Sequence, residues 1–190
     1  LNIMNEWYLR DQSKKVSAAY RVKGKAGKPT TNNAIYGYKK DPEDKDHWLV
    51  DEEAAAVVRE IYRMRYSGMA YGKIAAALNK KGILSPRWYW AIHYGNGSCK
   101  CSKLWAYATV KNILNDAVYT GTLTQNCTGT RSYKDKTSIQ KPESEWISHE
   151  DAHEAIISPE TWDAVQEQNQ LAKLRSTDTV SYTHLTLPTT

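Results

Sequence analysis

Two clusters in the sequence carry residue types that bind metals or move protons. His149-Glu150-Asp151-Ala152-His153 matches the His-Glu-x-x-His pattern of zinc peptidases. That pattern works when a helix sets both imidazoles on one face as zinc ligands and the Glu activates a metal-bound water. Pro142 and Pro159 bound the region, Ala155-Ile156-Ile157 reads as extended, and no third ligand stands out. A zinc hydrolase acting through His149, Glu150 and His153 is therefore a remote alternative. The second cluster is Cys99-Lys100-Cys101, with His93 and Cys127. Its one-residue spacer is shorter than the usual spacing of zinc thiolates, which favours free thiols in a loop. Neither cluster predicts a bound metal, and no cofactor is expected. The sequence holds no Walker-type phosphate loop and no Ser set beside a base as a nucleophile.

The stronger chemical signal is a distribution of charge. Residues 61–115 contain no Asp or Glu, yet hold Arg63, Arg65, Lys73, Lys80, Lys81, Arg87, Lys100, Lys103 and Lys111. Between residues 10 and 40 there are nine basic residues and one acid, Asp11. Past Glu143 the balance reverses, with Glu145, Glu150, Asp151, Glu154, Glu160, Asp163 and Glu167. The whole chain of 190 residues carries a formal charge of +5 and a pI near 9.0. A basic stretch without carboxylates does not repel phosphate, and each phosphate it neutralises releases counterions. A solvated surface whose acids lie elsewhere in the chain has the same composition; nucleic-acid contact is the preferred reading.

The bulk numbers exclude other classes. Seven Trp and 13 Tyr mark a folded chain, since disordered segments are poor in aromatics. Three cysteines without a signal-peptide pattern point to a reducing, cytoplasmic setting. No apolar run reaches the length of a membrane span. The chain starts at Leu1 in what reads as mid-helix, so a fragment is expected.

The elements that must position these cations are legible from periodicity. Residues 5–25 predict a helix, with Met4, Tyr8, Val16, Ala19 and Val22 on one broad face. Arg10, Lys14, Arg21 and Lys25 form a narrow stripe on the other side, so one face can pack on protein while the other meets phosphate. Gly24, Gly27 and Pro29 stop this helix. Lys28-Pro29-Thr30-Thr31-Asn32-Asn33 is basic, polar and extended, suited to a minor groove; a plain interdomain linker fits the same composition. Asp41-Pro42-Glu43-Asp44 reads as a turn and Leu49-Val50 as a short strand. Asp51 is a good N-cap for a helix carrying Val57, Val58, Ile61, Tyr62 and Arg65, ended by Gly68. A second helix over 71–81 buries Ile74, Ala75 and Leu78, giving a pair of helix-turn-helix type.

A long connector, 83–108, then carries Trp88, Tyr89, Trp90, Tyr94 and Trp105 among Arg87, Lys100 and Lys103. Thr109 is expected to cap a short helix that buries Val110, Ile113 and Leu114 and turns Lys111 and Asn112 elsewhere. Residues 119–124 read as a strand that Arg131-Ser132-Tyr133-Lys134 could pair with, and Trp146-Ile147 begins another extended piece. Ser158-Pro159 starts the last helix, with Trp162, Val165 and Gln166 inward. From about Ser176 the chain becomes Thr-rich and nearly uncharged, a tail unrelated to the fold.

In this order the pieces resemble the large serine recombinase family. Asn5-Glu6-Trp7-Tyr8 leading through Ser13-Lys14-Lys15 is similar to the end of the long helix that closes the family's catalytic domain. Tyr36-Gly37-Tyr38, then Val50-Asp51-Glu52-Glu53-Ala54 with Val57-Val58 and Ile61-Tyr62, resembles the start of its DNA-binding domain. Gly72-Lys73-Ile74-Ala75, Leu78-Asn79 and Gly82-Ile83 resemble the next helix and its stop. Trp105, Val110, Ile113-Leu114 and Tyr119-Thr120-Gly121 resemble the helix and strand after it. Glu145-Trp146-Ile147, His153-Glu154, Ile156-Ile157-Ser158 and Val165-Gln166 resemble the domain's end. The connector 83–108 is long for the family.

The resemblance implies an α+β, mainly helical architecture. Residues 1–26 would end the catalytic domain's long helix, 27–35 would be a linker, 36–175 the recombinase DNA-binding domain with a small antiparallel sheet, and 176–190 an unrelated or disordered tail. It implies a bacterial or phage enzyme of integrase, excisionase or resolvase type. Such an enzyme cuts attachment-site DNA through a serine phosphodiester and rejoins exchanged strands without a metal. The catalytic serine lies outside this sequence, so no catalytic residue is assigned and the piece alone is expected to be inactive. The full-length protein would be a homodimer that assembles to a tetramer. The candidate DNA contacts are Arg21, Lys25, Lys28, Thr30, Thr31 and Asn32 near the minor groove, Thr109, Lys111 and Asn112 at the major groove, and Arg87, Lys100 and Lys103 on phosphate. A non-catalytic helix-turn-helix regulator shares every one of these features and is the alternative.

Overall fold

The computed structural model describes residues 2–132 and 134–178. A long helix, α1 (Asn2–Lys25), opens the chain. It stops at a turn where Gly27 takes φ 72°, with the His149 ring 3.6 Å from where a Cβ would sit. A side chain there would be strained, which is why the stop requires glycine. Met4, Tyr8, Val16 and Val22 are all exposed. The apolar face expected to pack on protein is thus uncovered among the described residues.

The chain divides into two compact units, and the division falls inside helix α2 (Glu52–Tyr66). The first unit takes the chain through Ala56 together with Ala117–Ile156. In it β1 (Tyr38–Lys40) pairs antiparallel with β2 (Trp48–Val50), Tyr38 opposite Val50 and Lys40 opposite Trp48. The expected turn joins them, the Glu43 N–H donating to Asp41 Oδ1 at 2.9 Å.

The core of this unit is aromatic. Tyr38, Trp48 and Tyr119 are buried, and His153 meets the Tyr38 ring edge-on at 4.7 Å. The polar tips of Tyr38, Tyr119 and His153 find backbone partners, whereas the buried Trp48 Nε1 has none among the described residues. Tyr38 Oη donates to the Glu154 carbonyl at 2.9 Å, Tyr119 Oη to the Tyr36 carbonyl at 3.0 Å, and His153 Nε2 lies 2.7 Å from the Val118 carbonyl. Each of these three rings thereby keeps its hydrogen bond, as burial requires.

The continuous strand expected over 119–124 is instead a tight helical turn, Ala117–Thr120, followed by β3 (Leu123–Gln125). Gly121 separates them at φ 88°, and a Cβ there would come within 2.9 Å of the His153 carbonyl oxygen. Arg131, Ser132 and Lys134 do not pair with β3; Tyr133 lies outside the described residues. The partner of β3 is β6 (Ile147–His149), with Leu123 opposite His149 and Gln125 opposite Ile147. Arg131, Ser132 and Lys134 belong to the turn of a separate hairpin, β4 (Thr128–Thr130) with β5 (Ser138–Gln140).

The second unit takes Val57–Asp116 and the chain from Ile157 onward. Its helices are the rest of α2, α3 (Tyr71–Lys80), α4 (Pro86–His93), α5 (Tyr107–Leu114) and α6 (Pro159–Asp178). Of the inner faces read from periodicity, Val58, Ile61 and Tyr62 on α2, Ile74, Ala75 and Leu78 on α3, Val110, Ile113 and Leu114 on α5, and Val165 on α6 are buried, while Val57 of α2 and Trp162 and Gln166 of α6 are half-buried. Truncating one of the fully buried leucines, such as Leu78 to Ala, costs about 2–5 kcal/mol in sites of this kind. Gly68, at φ 87°, turns α2 into α3, completing the helix pair.

Three expectations are corrected here. The connector holds a helix, α4, started by Ser85-Pro86 with the proline in the first helical turn. Thr109 does not cap α5. That helix starts at Tyr107 after Ala106, because the preceding Trp105 is already fixed, and Thr109 lies half-buried inside the first turn. Arg65 is not a surface cation. It is buried, donating to Asn169 Oδ1 at 2.8 Å and to the Met69 and Gln168 carbonyls, with its guanidinium 4.8 Å from the Tyr71 ring centre. Of the expected tail, 179–190 lies outside the described residues.

Candidate nucleic-acid interface

In the first unit the linker is held by one amide. Gln125, buried at the end of β3, donates from Nε2 to the Lys28 carbonyl at 3.0 Å and accepts the Thr30 N–H on Oε1 at 2.8 Å. The side chain thus satisfies the linker backbone on both sides of Pro29, as a neighbouring strand would. Thr30 is half-buried by this, while Thr31, Asn32 and Asn33 beyond it are exposed. Arg21 and Lys25 are exposed on the last turns of α1. Lys28 is half-exposed but not alone. Its Nζ lies 3.3 Å from Asp46 Oδ2, and Lys23 Nζ lies 2.7 Å from Asp46 Oδ1. The Lys23 hydrogen bond, with Lys28 beside it, holds the Asp46 carboxyl below its usual range.

In the second unit the cations ride on a stapled loop and a short helix. Ser85 anchors the loop at two points, its Oγ donating to the Ser102 carbonyl and its N–H to the Lys103 carbonyl, both at 2.9 Å. Trp88 Nε1 donates to the Cys101 carbonyl at 2.8 Å, and Lys103 Nζ sits 4.6 Å from the Trp88 ring centre. Cys99 and Cys101 are joined as a disulfide, which corrects the expectation of free thiols and places Lys100 between the two sulfurs in sequence. Lys103 and Trp88 are thereby brought together, with Arg87 exposed on α4 next to Trp88.

A second amide clamp sets α5. Asn79 Oδ1 accepts the Trp105 N–H at 2.8 Å and its Nδ2 donates to the Trp105 carbonyl at 3.1 Å, while the indole donates to the Ile83 carbonyl. With Trp105 pinned, α5 buries Val110, Ile113 and Leu114 and leaves Tyr107, Ala108, Lys111 and Asn112 exposed. These four recur at helical spacing and form one outward face.

The charge distribution survives folding with few cancellations. In the acid-free stretch 61–115, Arg63 and Lys81 both meet Glu60 of α2, and Arg65 is internal. Lys73, Lys80, Arg87, Lys100 and Lys111 are exposed and form no ion pair among the described residues. The acidic C-terminal residues therefore do not neutralise them.

The metal alternatives lose their geometry. His149 ends β6, Asp151 takes φ 53°, and the residues after it are irregular, so the two histidines do not share a helix face. The His149 ring lies against Gly27, whereas His153 is buried against Val118 and Tyr38. Among the described residues no group of three His, Cys, Asp or Glu is placed to hold a metal ion. Among them, too, no helix is long and apolar enough to cross a membrane.

Sequence reasoning missed Gln125, Asn79 and Asp46. Their partners are backbone groups and lysines distant in sequence, so no local motif marks them. A family model described as Recombinase matches residues 52–171. No curated protein matches the chain. Among solved structures, a chain from the crystal structure of an LSR–DNA complex is 22% identical with a TM-score of 0.51, the match covering 84% of this chain and 38% of that one. Another, from a structure concerned with the sequence requirements of the Listeria innocua prophage attP site, is 22% identical with a TM-score of 0.54, covering 89% and 57%. The chain spans less than two thirds of either solved chain, and at this identity the likeness speaks to the fold.

Proposed function

The chain belongs to the recombinase domain family of large serine recombinases, and on that premise we propose that it recognises attachment-site DNA for a site-specific recombinase. The observation that carries this reading is the set of exposed cations in residues 61–115 that no acid neutralises. Arg87, Lys100 and Lys103 take phosphates. Lys111, Asn112 and Thr109 supply the major-groove contacts from α5, Asn112 suiting the paired donor and acceptor of adenine. Arg21, Lys25, Lys28, Thr30, Thr31 and Asn32 track the minor groove, with Gln125 fixing the path of the linker.

In this reading residues 1–26 end the long helix of a catalytic domain, 27–35 form the linker, 36–175 form the DNA-binding domain, and the 176–190 tail begins within α6, of which 176–178 still form part. The whole protein cuts and rejoins DNA through a serine carried elsewhere. It works as a homodimer that pairs into a tetramer, and the uncovered apolar side of α1 supports such an assembly. The test is duplex binding by the chain and by its R87A/K100A/K103A/K111A variant over a range of salt. Loss of three phosphate contacts, together with the Lys111 groove contact, makes the slope of log K against log salt shallower by up to about 2.7. Parallel lines for the two proteins would remove this surface from the interface.

A further inference from the structure

The β4–β5 hairpin makes none of these proposed DNA contacts, and it stands out physically. Among the described residues it pairs with no third strand, its residues are nearly all exposed, and Ile139 faces solvent. An isolated two-stranded hairpin is only marginally stable in water, so local ties must hold it. Lys134 Nζ meets Glu6 Oε1 of α1 at 2.5 Å, and the Lys141 N–H donates to the Cys127 carbonyl at 2.9 Å.

Between the hairpin and α1 runs an open groove of about 440 Å³. Tyr20 and Arg21 of α1 form one wall, Thr128 and Thr130 of β4 the other, and Lys141 and Asn126 close it. No carboxylate lines it. Lys141 is largely buried, its Nζ 2.5 Å from Asn126 Oδ1 and 4.0 Å from Glu145. It crosses β4 at Gly129, where a Cβ would lie 2.8 Å from Lys141 Cε. At the hairpin tip, the Asp135 carboxylate is occupied by the Thr137 N–H and hydroxyl at 2.9 and 2.6 Å, with Arg131 only loosely beside it at 3.9 Å. Lys136 is exposed and forms no ion pair among the described residues.

A groove with a cation on the wall, another at the floor and hydroxyls opposite suits a phosphodiester strand. We propose that the groove between α1 and the β4–β5 hairpin holds one sugar-phosphate strand of the bound duplex, with Arg21 and Lys141 on one phosphate and Arg131 and Lys136 on its neighbours along the strand. The proposal rests on the DNA-binding reading and adds an arm to it. Its contacts go to the backbone, so the arm strengthens binding without reading sequence.

Two variants of the full chain test it on an attachment-site duplex and an unrelated duplex across a salt series. R131Q/K136Q makes the slope shallower by about 1.8, equally on both duplexes. T128E/T130E places carboxylates on the groove wall and weakens binding about tenfold or more at moderate salt. Thermal unfolding of each variant shows whether the fold is kept. If both variants bind as the unaltered chain does, the hairpin arm is wrong while the DNA-binding reading stands. An unaltered chain that binds neither duplex overturns both.

Discussion

Asp46 takes hold of Lys23 and Lys28 in the unit that carries the linker, whereas in the helical unit Lys100 and Lys111 face solvent with no acid paired to them among the described residues. The pattern repeats. The first unit also pairs Lys15 with Asp11 and Lys134 with Glu6, while Glu60 is the acid that engages Arg63 and Lys81 in the second. A phosphate approaching Lys23 or Lys28 must displace a carboxylate. One approaching Lys100 or Lys111 displaces only water and counterions. The comparison teaches that cations serve two purposes: Lys23 and Lys28 fix the course of the linker, and Lys100 and Lys111 supply affinity.

The largest effect that could break this comparison is charge reversal. K100E/K111E should weaken duplex binding by about a hundredfold at moderate salt, through lost counterion release and new repulsion. K23Q/K28Q, which removes as many cations from the first unit, should change the salt slope by less than K100Q/K111Q does. Equal slopes in a filter-binding or anisotropy titration would erase the distinction.

Next in size are the two amide clamps. Asn79 to Ala removes the amide that bonds both the Trp105 N–H and its carbonyl and is expected to cost about 1–3 kcal/mol in chemical denaturation. Gln125 to Ala strips the same kind of support from the linker, at about 1–2 kcal/mol. Its binding signature is the sharper one: affinity falls while the salt slope stays, because no phosphate contact is removed. A shallower slope would mean that freeing the linker also lifts cations such as Lys28 off phosphate.

Asp46 to Asn gives the smallest effect and the opposite sign. It releases Lys23 and Lys28 and should tighten binding several-fold, with a steeper salt dependence. Because the Asp46 carboxyl sits below its usual range in the folded chain, its pairing contributes above the ordinary carboxylate range and is lost as pH falls through the lowered value. Amide exchange at Lys28 and Thr30 should therefore be flat from neutral pH down to that range once corrected for intrinsic rates. An onset of opening near neutral pH would contradict the assignment.

Much of this fold was legible because its helices bury a periodic face: α3 and α5 appear with the inner residues that spacing selects. The strands were harder, since three residues hold too little of a two-residue alternation, and β1 reads Tyr-Lys-Lys. Helix α4 hid among aromatics, although Ser85-Pro86 is the same start signal as Ser158-Pro159. Arg65 was legible in a different way. It falls four residues after Ile61 on the buried side of α2, so its position opposed its charge, and position won because Asn169 and two carbonyls supply partners. Gln125 and Asn79 were not legible, because each recognises a backbone segment brought near only by folding.

Lysine reactivity tests the placement of the duplex most directly. Acetylation rates measured by mass spectrometry, with and without an attachment-site duplex, report where the DNA lies residue by residue. Lys100, Lys103 and Lys111 should be protected most and Lys28 in part, while Lys39 and Lys45, exposed elsewhere in the first unit, keep their rates. Protection of Lys39 and Lys45 with Lys100 and Lys111 unchanged would put the duplex on another surface and contradict the proposed interface.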